Sequence, residues 1–243
     1  MFPLPNKLEP YRSILEPTLQ STVTITGIPQ ETTLFQSKFF GNPYFPKTMD
    51  YPVDGQGKPM VLLAQLNLSE MPSIDEVPTT GILQFYLSVH DGAMGLDLDD
   101  PTKGENFRVV YHETLVYDES QLLTDFSFIG EWEEGDLPGG LEASMNFSVQ
   151  KEVVSPSDFR FDPLTNHQID VQLDDDEMWN ALDKITAIGH KIGGYPYFTQ
   201  MDPREEQYEN HTILLFQMDT DDDLEIMWGD SGVGNFFITP EDL

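Results

Sequence analysis

Short apolar segments that end at glycine, proline or acidic residues dominate the chain. Each is rich in β-branched and aromatic side chains and is shorter than a typical helix, which is the pattern of a β-strand. The segments are residues 21–26, 61–66, 81–87, 107–112, 144–149 and 212–218. The sequence therefore predicts a protein built mainly from strands.

One segment has a clear helical pattern. It begins near residues 174–176, whose carboxylates suit the positive end of a helix dipole. Trp179, Leu182 and Ile185 then recur at helical spacing and would share one face. Gly189 is a residue at which such a helix would end. We therefore predict a helix over the residues between these two signals.

Weaker patterns suggest two further helices, over residues 6–19 and 122–126, and residues 131–140 read as an acidic loop. Strands outnumber helices, and the two types do not alternate regularly along the chain. This arrangement favours an α+β fold over a doubly wound one. We expect a predominantly antiparallel or mixed β-sheet with a few helices.

Three blocks of sequence occur twice, in the same order and at nearly the same spacing. Gly41-Asn42-Pro43-Tyr44-Phe45 returns as Gly194-Tyr195-Pro196-Tyr197-Phe198, residues 62–67 return as 214–219, and residues 81–87 return as 232–238, at offsets of 153, 152 and 151. Such agreement predicts an internal duplication of two similar halves around a pseudo-two-fold axis. We expect a single domain over residues 1–243, made of repeat 1 (about 20–143) and repeat 2 (about 144–243).

The charge is strongly negative and unevenly placed. The chain has 12 Lys and Arg against 43 Asp and Glu, for a formal net charge of −31. Residues 1–70 carry a net charge of −1, so residues 71–243 carry −30. A chain of this charge repels nucleic acid phosphates and anionic membrane surfaces, and it attracts basic proteins. The simpler interpretation is that the carboxylates coat a solvated surface and keep the protein soluble.

The absence of cysteine and of long apolar segments limits the cellular location and the kinds of site that the sequence can have. The sequence contains no cysteine, which excludes disulfides, thiol catalysis and cysteine-ligated metals. No apolar run approaches the ~18 residues that a membrane helix needs, and residues 1–5 do not resemble a secretory signal. We therefore predict a cytoplasmic location and no membrane association.

Four residues are candidates for a binding site. Gln65 and Gln217 occupy matching positions inside apolar strands, where a buried amide must bond either to nearby backbone or to a ligand. Arg108 shares a strand face with His112 and would pair with carboxylates or hold an anionic ligand. Trp228 follows the second glutamine and would line a cleft between the halves.

No catalytic residue, metal site or cofactor is predicted. Asp219, Asp221, Asp223 and Asp230 have the spacing of calcium-loop ligands, but Leu224 stands where such a loop needs glycine. The Gly-Asp-Ser-Gly sequence at residues 229–232 resembles a serine protease segment without a convincing histidine partner. The five histidines show no zinc-binding spacing.

The repeated blocks also support a family resemblance. Ser37-Lys38-Phe39-Phe40-Gly41-Asn42-Pro43-Tyr44-Phe45-Pro46, Leu63-Ala64-Gln65, Gly81-Ile82-Leu83-Gln84-Phe85, Lys191-Ile192-Gly193-Gly194-Tyr195-Pro196, Leu215-Phe216-Gln217-Met218-Asp219 and Trp228-Gly229-Asp230-Ser231-Gly232-Val233-Gly234 together resemble the bacterial YwqG-like family, a domain of unknown function. The chain departs from the family phrase at Phe40, where a second glycine is usual. The resemblance implies a bacterial cytoplasmic α+β protein with internal duplication. It supplies no catalytic residue, and it points to a protein partner in an immunity-like role.

Two classes of function remain open on the sequence. In the first, the protein is a non-catalytic binding or inhibitory module whose acidic surface covers a basic protein partner. In the second, it is an enzyme or a small-ligand-binding protein with a cleft between the duplicated halves, lined by Gln65, Gln217, Trp228 and Arg108. The sequence favours the first, because the net charge of −30 is concentrated in residues 71–243.

Overall fold

Nine β-strands form one continuous curled sheet. The computed structural model describes residues 2–75, 77–90, 92–132, 135–169, 175–205 and 207–243. The strands are β1 (Gln20–Pro29), β2 (Lys38–Phe39), β3 (Val61–Asn67), β4 (Ile82–Leu87), β5 (Phe107–His112), β6 (Ala143–Glu152), β7 (His190–Gly193), β8 (Ile213–Asp219) and β9 (Val233–Ile238). Their order across the sheet is β5-β4-β3-β2-β6-β1-β7-β8-β9.

The two longest strands, β1 and β6, form the centre of the sheet. They pair along 10 residues each, from Gln20 opposite Glu152 to Pro29 opposite Ala143. Strands β2 to β5 extend from β6, and we call them the first arm. Strands β7 to β9 extend from β1, and we call them the second arm. Each central strand thus lies beside the arm that does not follow it directly in sequence.

All pairings among these nine strands are antiparallel. The α+β prediction is confirmed, and the sheet is antiparallel rather than mixed. Both arms contain a register shift at the same place in their second strand, between Leu62 and Ala64 in β3 and between Leu214 and Phe216 in β8. Each shift is the signature of a β-bulge, which bends the strand and increases its twist.

The concave face of the sheet encloses the main core. Phe85 lies with its ring centroid 4.8 Å from that of Phe216 and 4.9 Å from that of Phe236, and Phe236 in turn lies 6.0 Å from Phe107. These contacts join the first arm to the second across the interior. The sheet curls because the aromatic rings of its two arms pack together, which removes apolar surface from water.

A second apolar cluster lies outside the sheet and holds the helices. It includes Leu8, Leu15, Val154, Phe161 and Leu182, all buried. The α-helices are α1 (Arg12–Leu15), α2 (Phe161–Leu164) and α3 (Asp176–Asp183), and 3₁₀ turns occupy Asn6–Tyr11, Glu16–Thr18, Glu119–Gln121, Ser127–Ile129 and Asp222–Leu224. This cluster packs the N-terminal segment against the segment that leads into the second arm.

The main predicted helix exists but is shorter than expected. Helix α3 begins after Asp175, whose side chain accepts a hydrogen bond from Met178 N–H, and it ends at Asp183 rather than near Gly189. Its buried face is formed by Met178, Ala181 and Leu182. Trp179, which we expected on that face, is 44% exposed. Asp174 and its preceding neighbours lie outside the described residues.

The two weaker helix predictions are corrected by the structure. Residues 6–18 form short 3₁₀ and α pieces instead of one helix, because Pro10 and Pro17 lack the N–H that a continuous helix needs. Residues 122–126 are not helical. Leu123 N–H donates to Phe45 C=O at 2.8 Å, and Leu122 forms a β-bridge with Pro46, so this segment pairs with a neighbouring loop. In the predicted acidic loop, Glu133 and Glu134 lie outside the described residues.

Candidate functional site

Gln65 fixes a loop of the first arm to the outer face of the sheet. The residue is completely buried on β3. Its Oε1 accepts a hydrogen bond from Tyr44 N–H at 2.8 Å. Its Nε2 donates to Leu34 C=O at 2.8 Å and to Gln36 C=O at 2.9 Å. The amide therefore bonds to backbone, the first of the two alternatives that the sequence left open.

Gln84 on β4 holds the same loop from its other side. We call the hydrogen bonds that fix the backbone N–H and C=O of Tyr44 the tyrosine clamp. Gln84 Nε2 donates to Tyr44 C=O at 2.6 Å and to Gln65 Oε1 at 2.7 Å. Tyr44 is thus held at its N–H by one glutamine and at its C=O by the next. The aromatic residue of the Gly-x-Pro-Tyr-Phe phrase is therefore positioned through its backbone rather than through its ring alone.

Gln84 also connects the clamp to a buried histidine. Its Oε1 accepts from Tyr86 OH at 2.9 Å and lies 2.8 Å from His112 Nε2. An amide oxygen can only accept, so Nε2 of His112 carries the proton. Burial lowers the pKa of His112 to about 4, and the imidazole is neutral at physiological pH.

The second arm repeats the clamp with one change of residue. Gln217 Oε1 accepts from Tyr197 N–H at 2.7 Å, and its Nε2 donates to Ala187 C=O and Gly189 C=O, both at 2.8 Å. Asn235 on β9 takes the place of Gln84 and donates to Tyr197 C=O at 2.8 Å. The Oδ1 of Asn235 has no hydrogen-bond partner among the described residues.

A buried lysine lies opposite each glutamine. Lys38 opposes Gln65, and Lys191 opposes Gln217. Lys38 Nζ donates to Thr33 C=O at 2.6 Å and to Asn42 C=O at 2.9 Å. Lys191 Nζ donates to Glu152 Oε1 at 2.5 Å and to Tyr195 C=O at 2.7 Å. The first lysine is satisfied by neutral carbonyls and the second by a carboxylate as well.

Burial governs the protonation of both lysines. It lowers the pKa of Lys38 to about 8, and the carboxylates of Glu142 and Glu70 only partly oppose this effect. The pKa of Lys191 is also lowered by burial, against the attraction of Glu152. Both side chains are 1% exposed, so neither ammonium is accessible to a substrate.

The other two candidate residues lie away from the glutamines. Arg108 is exposed on β5 at one edge of the sheet, and its Nη2 donates to Val53 C=O at 3.3 Å. Trp228 follows β8 in a loop, packs its ring over Gly234 and against the main core, and its Nε1 has no partner in the described part of the chain. Among the four candidates, this Nε1 is the buried side-chain polar atom that lacks a partner in the described part of the chain.

The four candidate residues do not line a common cleft. Gln65 and Gln217 lie on β3 and β8, which are separated in the sheet by β2, β6, β1 and β7. A cavity of about 670 Å³ is lined instead by residues of β6 and two loops, among them Gln36, Glu70 and Asn146. A second cavity of about 530 Å³ lies beside Phe40 and Trp132. Neither of these cavities is lined by the four candidates.

An internal charged cluster escaped the sequence analysis. Arg204 is 3% exposed, and its Nη2 lies 2.6 Å from Asp202 Oδ2 and 3.1 Å from Asp158 Oδ2. Burial acts to raise the pKa of Asp158, but Arg160 and Arg204 outweigh it and the pKa is lowered. The guanidinium of Arg204 also lies 4.2 Å from the ring of Phe237. The sequence signal that could have indicated this cluster is the presence of Arg160 and Arg204 in a strongly acidic region.

The acidic residues of the discounted calcium loop serve the backbone. Asp219 Oδ2 accepts from Gly189 N–H at 2.7 Å, and Asp221 Oδ1 accepts from Asp223 N–H at 2.9 Å. Asp221 Oδ2 also lies 3.2 Å from His190 Nε2. In the described ranges no three His, Asp or Glu side chains are grouped as they would be around a metal ion.

Comparison with known proteins identifies a family and no activity. No match to a curated protein was found. No helix among the described residues combines the length and the apolar character needed to cross a membrane. Residues 37–243 match the family described as a domain of unknown function, DUF1963, which covers both arms and the central strand β6. The chain therefore belongs to the DUF1963 family.

Proposed function

We propose that this protein is a non-catalytic acidic module that binds a basic protein partner. The observation that carries the proposal is the fate of the basic side chains in the acidic part of the chain. Residues 71–243 contain 7 Lys and Arg against 37 Asp and Glu. Three of these basic residues, Arg160, Lys191 and Arg204, are held in internal ion pairs. The surface is therefore more uniformly negative than the composition alone requires.

The acidic side chains have the opposite distribution. In residues 71–243, Asp158 and Asp202 are the buried carboxylates among the described residues. At the surface, Lys103 is already paired with Asp97 and Glu105. A field of one sign extends over about a Debye length, near 10 Å at 0.1 M salt, and accelerates encounter with a partner of opposite charge. Such association is fast and salt-sensitive.

The small-ligand alternative has less support. The amides of Gln65 and Gln217 each make three hydrogen bonds to backbone groups, which leaves little capacity for a ligand. Arg108 donates to the Val53 carbonyl. A binding role for these residues, including Trp228, stays a prediction. So do the cytoplasmic location, the YwqG-like name and the immunity-like role.

We also propose that the two arms arose by internal duplication within one domain, with repeats over about 20–143 and 144–243. The matching clamps of Gln65 and Gln217 and the two equivalent β-bulges support this proposal. Under it, β1 and β6 are equivalent first strands that have exchanged arms. The central β1–β6 pair then lies on the pseudo-two-fold axis, and each repeat needs the other to complete its arm.

The test of the binding proposal is affinity capture from the native host at graded NaCl concentrations. The full chain serves as bait, and the control bait carries amides at four exposed carboxylates, Glu113, Glu209, Asp230 and Glu241. We expect one basic protein, captured in proportion to the bait, whose captured amount falls as salt rises and falls again with the control bait. Capture of an acidic partner, or equal capture of all basic proteins by both baits, would contradict the proposal.

A further inference from the structure

Strand β6 has an open edge in the middle of the sheet. On one side it pairs with β1 along its full length. On the other side it pairs with β2 only at Ala143 and Ser144, because β2 is 2 residues long. No described strand lies beside the remaining residues of β6 on that side. We call this opening the β6 notch: residues 145–150 on one side, and Gln36, Ser37 and residues 70–72 on the other.

The hydrogen-bond alternation of antiparallel strands shows which groups face the notch. Gln30 N–H donates to Glu142 C=O at 3.1 Å, and Ser148 C=O accepts from Thr24 Oγ1 at 3.1 Å, so even-numbered residues of β6 point towards β1. Phe40 N–H donates to Leu63 C=O, so Phe39 in turn points towards β6. The odd-numbered residues Phe147 and Val149 therefore present N–H and C=O groups to the notch, whereas the N–H of Met145 belongs to the pairing of Ser144 with Lys38.

The notch has the shape of a site for one strand. Its cavity measures about 670 Å³, and an added strand needs a spacing of about 4.8 Å from its neighbour. Both walls belong to this chain, so an occupant that pairs with β6 lies between β6 and residues 70–72. The occupant that fits is a single extended segment.

The corresponding end of the other central strand lies against a turn of the chain. Beyond its last pairing with β7, at Ile25 opposite His190, β1 is covered by the turn at residues 221–226. Leu224 of this turn packs over the face of β1, where a Cβ added to Gly27 would lie 2.5 Å from its Cδ1. This end of β1 is therefore in contact with a turn of the chain, whereas no described strand pairs with residues 147–150 of β6 on the notch side. Exposed edges are usually protected, which makes an open one informative.

We propose that the β6 notch binds an extended basic segment of the partner as an added β-strand. The proposal rests on the proposed function for the charge of the segment and on the geometry for its conformation. Met145 and Phe147 pack against the main core with Met71, so one face of the segment is apolar. Asn146 and Ser148 face the opposite way, and Glu70 lines the wall. The segment alternates apolar and basic residues, as strand addition requires.

Hydrogen exchange of the full chain tests the first step. In the free protein, we expect fast exchange of the amides of Phe147 and Val149 and slow exchange of those of Ser144, Asn146 and Ser148. Slow exchange at Phe147 without a ligand would overturn the proposal, because the edge would already be paired. Protection that grows with protein concentration would overturn it too, in favour of self-association.

A capped eight-residue peptide of alternating valine and lysine is the probe for the second step. We expect binding that protects the amides of Phe147 and Val149. The matched control is the same peptide with alternate amides N-methylated, which keeps its charge and side chains but removes one hydrogen-bonding edge. We expect at least about a tenfold weaker affinity for the control, since it loses several hydrogen bonds of roughly 0.5–1.5 kcal/mol each.

Variants of the protein complete the test. Val149→Pro removes an N–H that faces the notch and not β1, so the sheet is retained, and we expect at least fivefold weaker peptide binding. Val149→Ala keeps the N–H and should bind as the parent does. Equal binding of the N-methylated peptide would overturn strand addition while leaving an acidic binding surface intact. Absence of peptide binding would also overturn it, whereas the proposed function is decided separately by the affinity capture.

Discussion

The two tyrosine clamps fix the same backbone groups, but the clamp of the first arm contains more hydrogen bonds than that of the second. Tyr44 and Tyr197 are each held at N–H by a glutamine and at C=O by a second amide. In the first arm the second amide is Gln84, which also reaches Gln65. In the second arm it is the shorter Asn235, which is not bonded to Gln217 and leaves its Oδ1 without a partner among the described residues. The common requirement is therefore the tyrosine backbone, and the further network is particular to the first arm.

The lysines of the two arms differ in the same sense. Lys38 is surrounded by backbone carbonyls, whereas Lys191 is paired with a carboxylate that lies on β6 and reaches across the central pair. The second arm is thus attached to the central strands by charge, and the first arm by neutral hydrogen bonds. This difference predicts distinct responses to mutation and to pH.

The largest expected effect comes from removing the glutamines. Gln65→Leu leaves three backbone groups unpaired and also removes the bond to Gln84, so we expect a loss on the order of 4 kcal/mol in the free energy of unfolding. Gln217→Leu unpairs three groups without the additional bond and should cost about 3 kcal/mol. Denaturant titration measures both. Gln150→Leu, at an exposed position of β6, is the control and should change little. Two variants as stable as the parent would refute the clamp.

Replacing the buried lysine of each arm should lower the free energy of unfolding by different amounts. Lys191→Met leaves the Glu152 carboxylate without its cation and should cost about 3 kcal/mol. Lys38→Met leaves two carbonyls and should cost about 2 kcal/mol. Adding Glu152→Gln should restore part of the loss in the first variant and none in the second. Denaturation of the single and double variants decides this, and an absence of recovery would show that Glu152 is not the partner that matters.

Acid should weaken the first arm through His112. The pKa of His112 is lowered to about 4 in the folded protein from an ordinary value near 6.5, so the unfolded chain binds more protons between these values. Its contribution is complete above pH 6.5 and is lost as pH falls towards 4. At His190 in the second arm, burial also lowers the pKa, but Asp221 opposes the shift.

The measurement compares the parent with His112→Gln from pH 7 to pH 4.5. We expect the stability advantage of the parent to shrink by about 2 kcal/mol, allowing for solvent screening. The difference between the two proteins is the relevant quantity, because acid also relieves repulsion among the many carboxylates. His90→Gln, at an exposed site, is the control. A constant difference across this range would contradict a neutral buried imidazole.

The smallest expected effect is a gain of stability at alkaline pH. The pKa of Lys38 is lowered to about 8, so between pH 8 and about 10 the unfolded chain holds more protons than the folded protein. The stability of the parent relative to Lys38→Met should therefore rise with pH, by about 1 kcal/mol up to pH 9.5. Burial lowers the pKa of Lys191 in both proteins, so its contribution cancels in this difference. A parent protein that loses stability relative to Lys38→Met over this range would show the opposite sign.

The strands were predictable because their patterns are local. Residues 61–66 and 212–218 are short apolar segments bounded by turn residues, which is the local pattern of a strand. The structure places β3 and β8 there. The first half of helix α3 was equally legible from its acidic N-terminus. The predicted limits of an element were wrong where contacts with a distant part of the chain determine its conformation. Residues 122–126 have a weak helical pattern but pair with residues 45–46 instead of forming a helix. Nothing in the local sequence indicates this pairing.

The sequence by itself determined that this is a strand-rich acidic protein in which Gln65 and Gln217 stand at matching positions of similar segments. Their local surroundings already required that each buried amide find partners. Only the tertiary structure decided which partners, because Leu34, Tyr44 and Gln84 come from three separate segments that meet when the strands align. The crossing of β1 and β6 to opposite arms, and with it the β6 notch, was likewise decided by strand order, since pairing between distant strands leaves no trace in either strand alone.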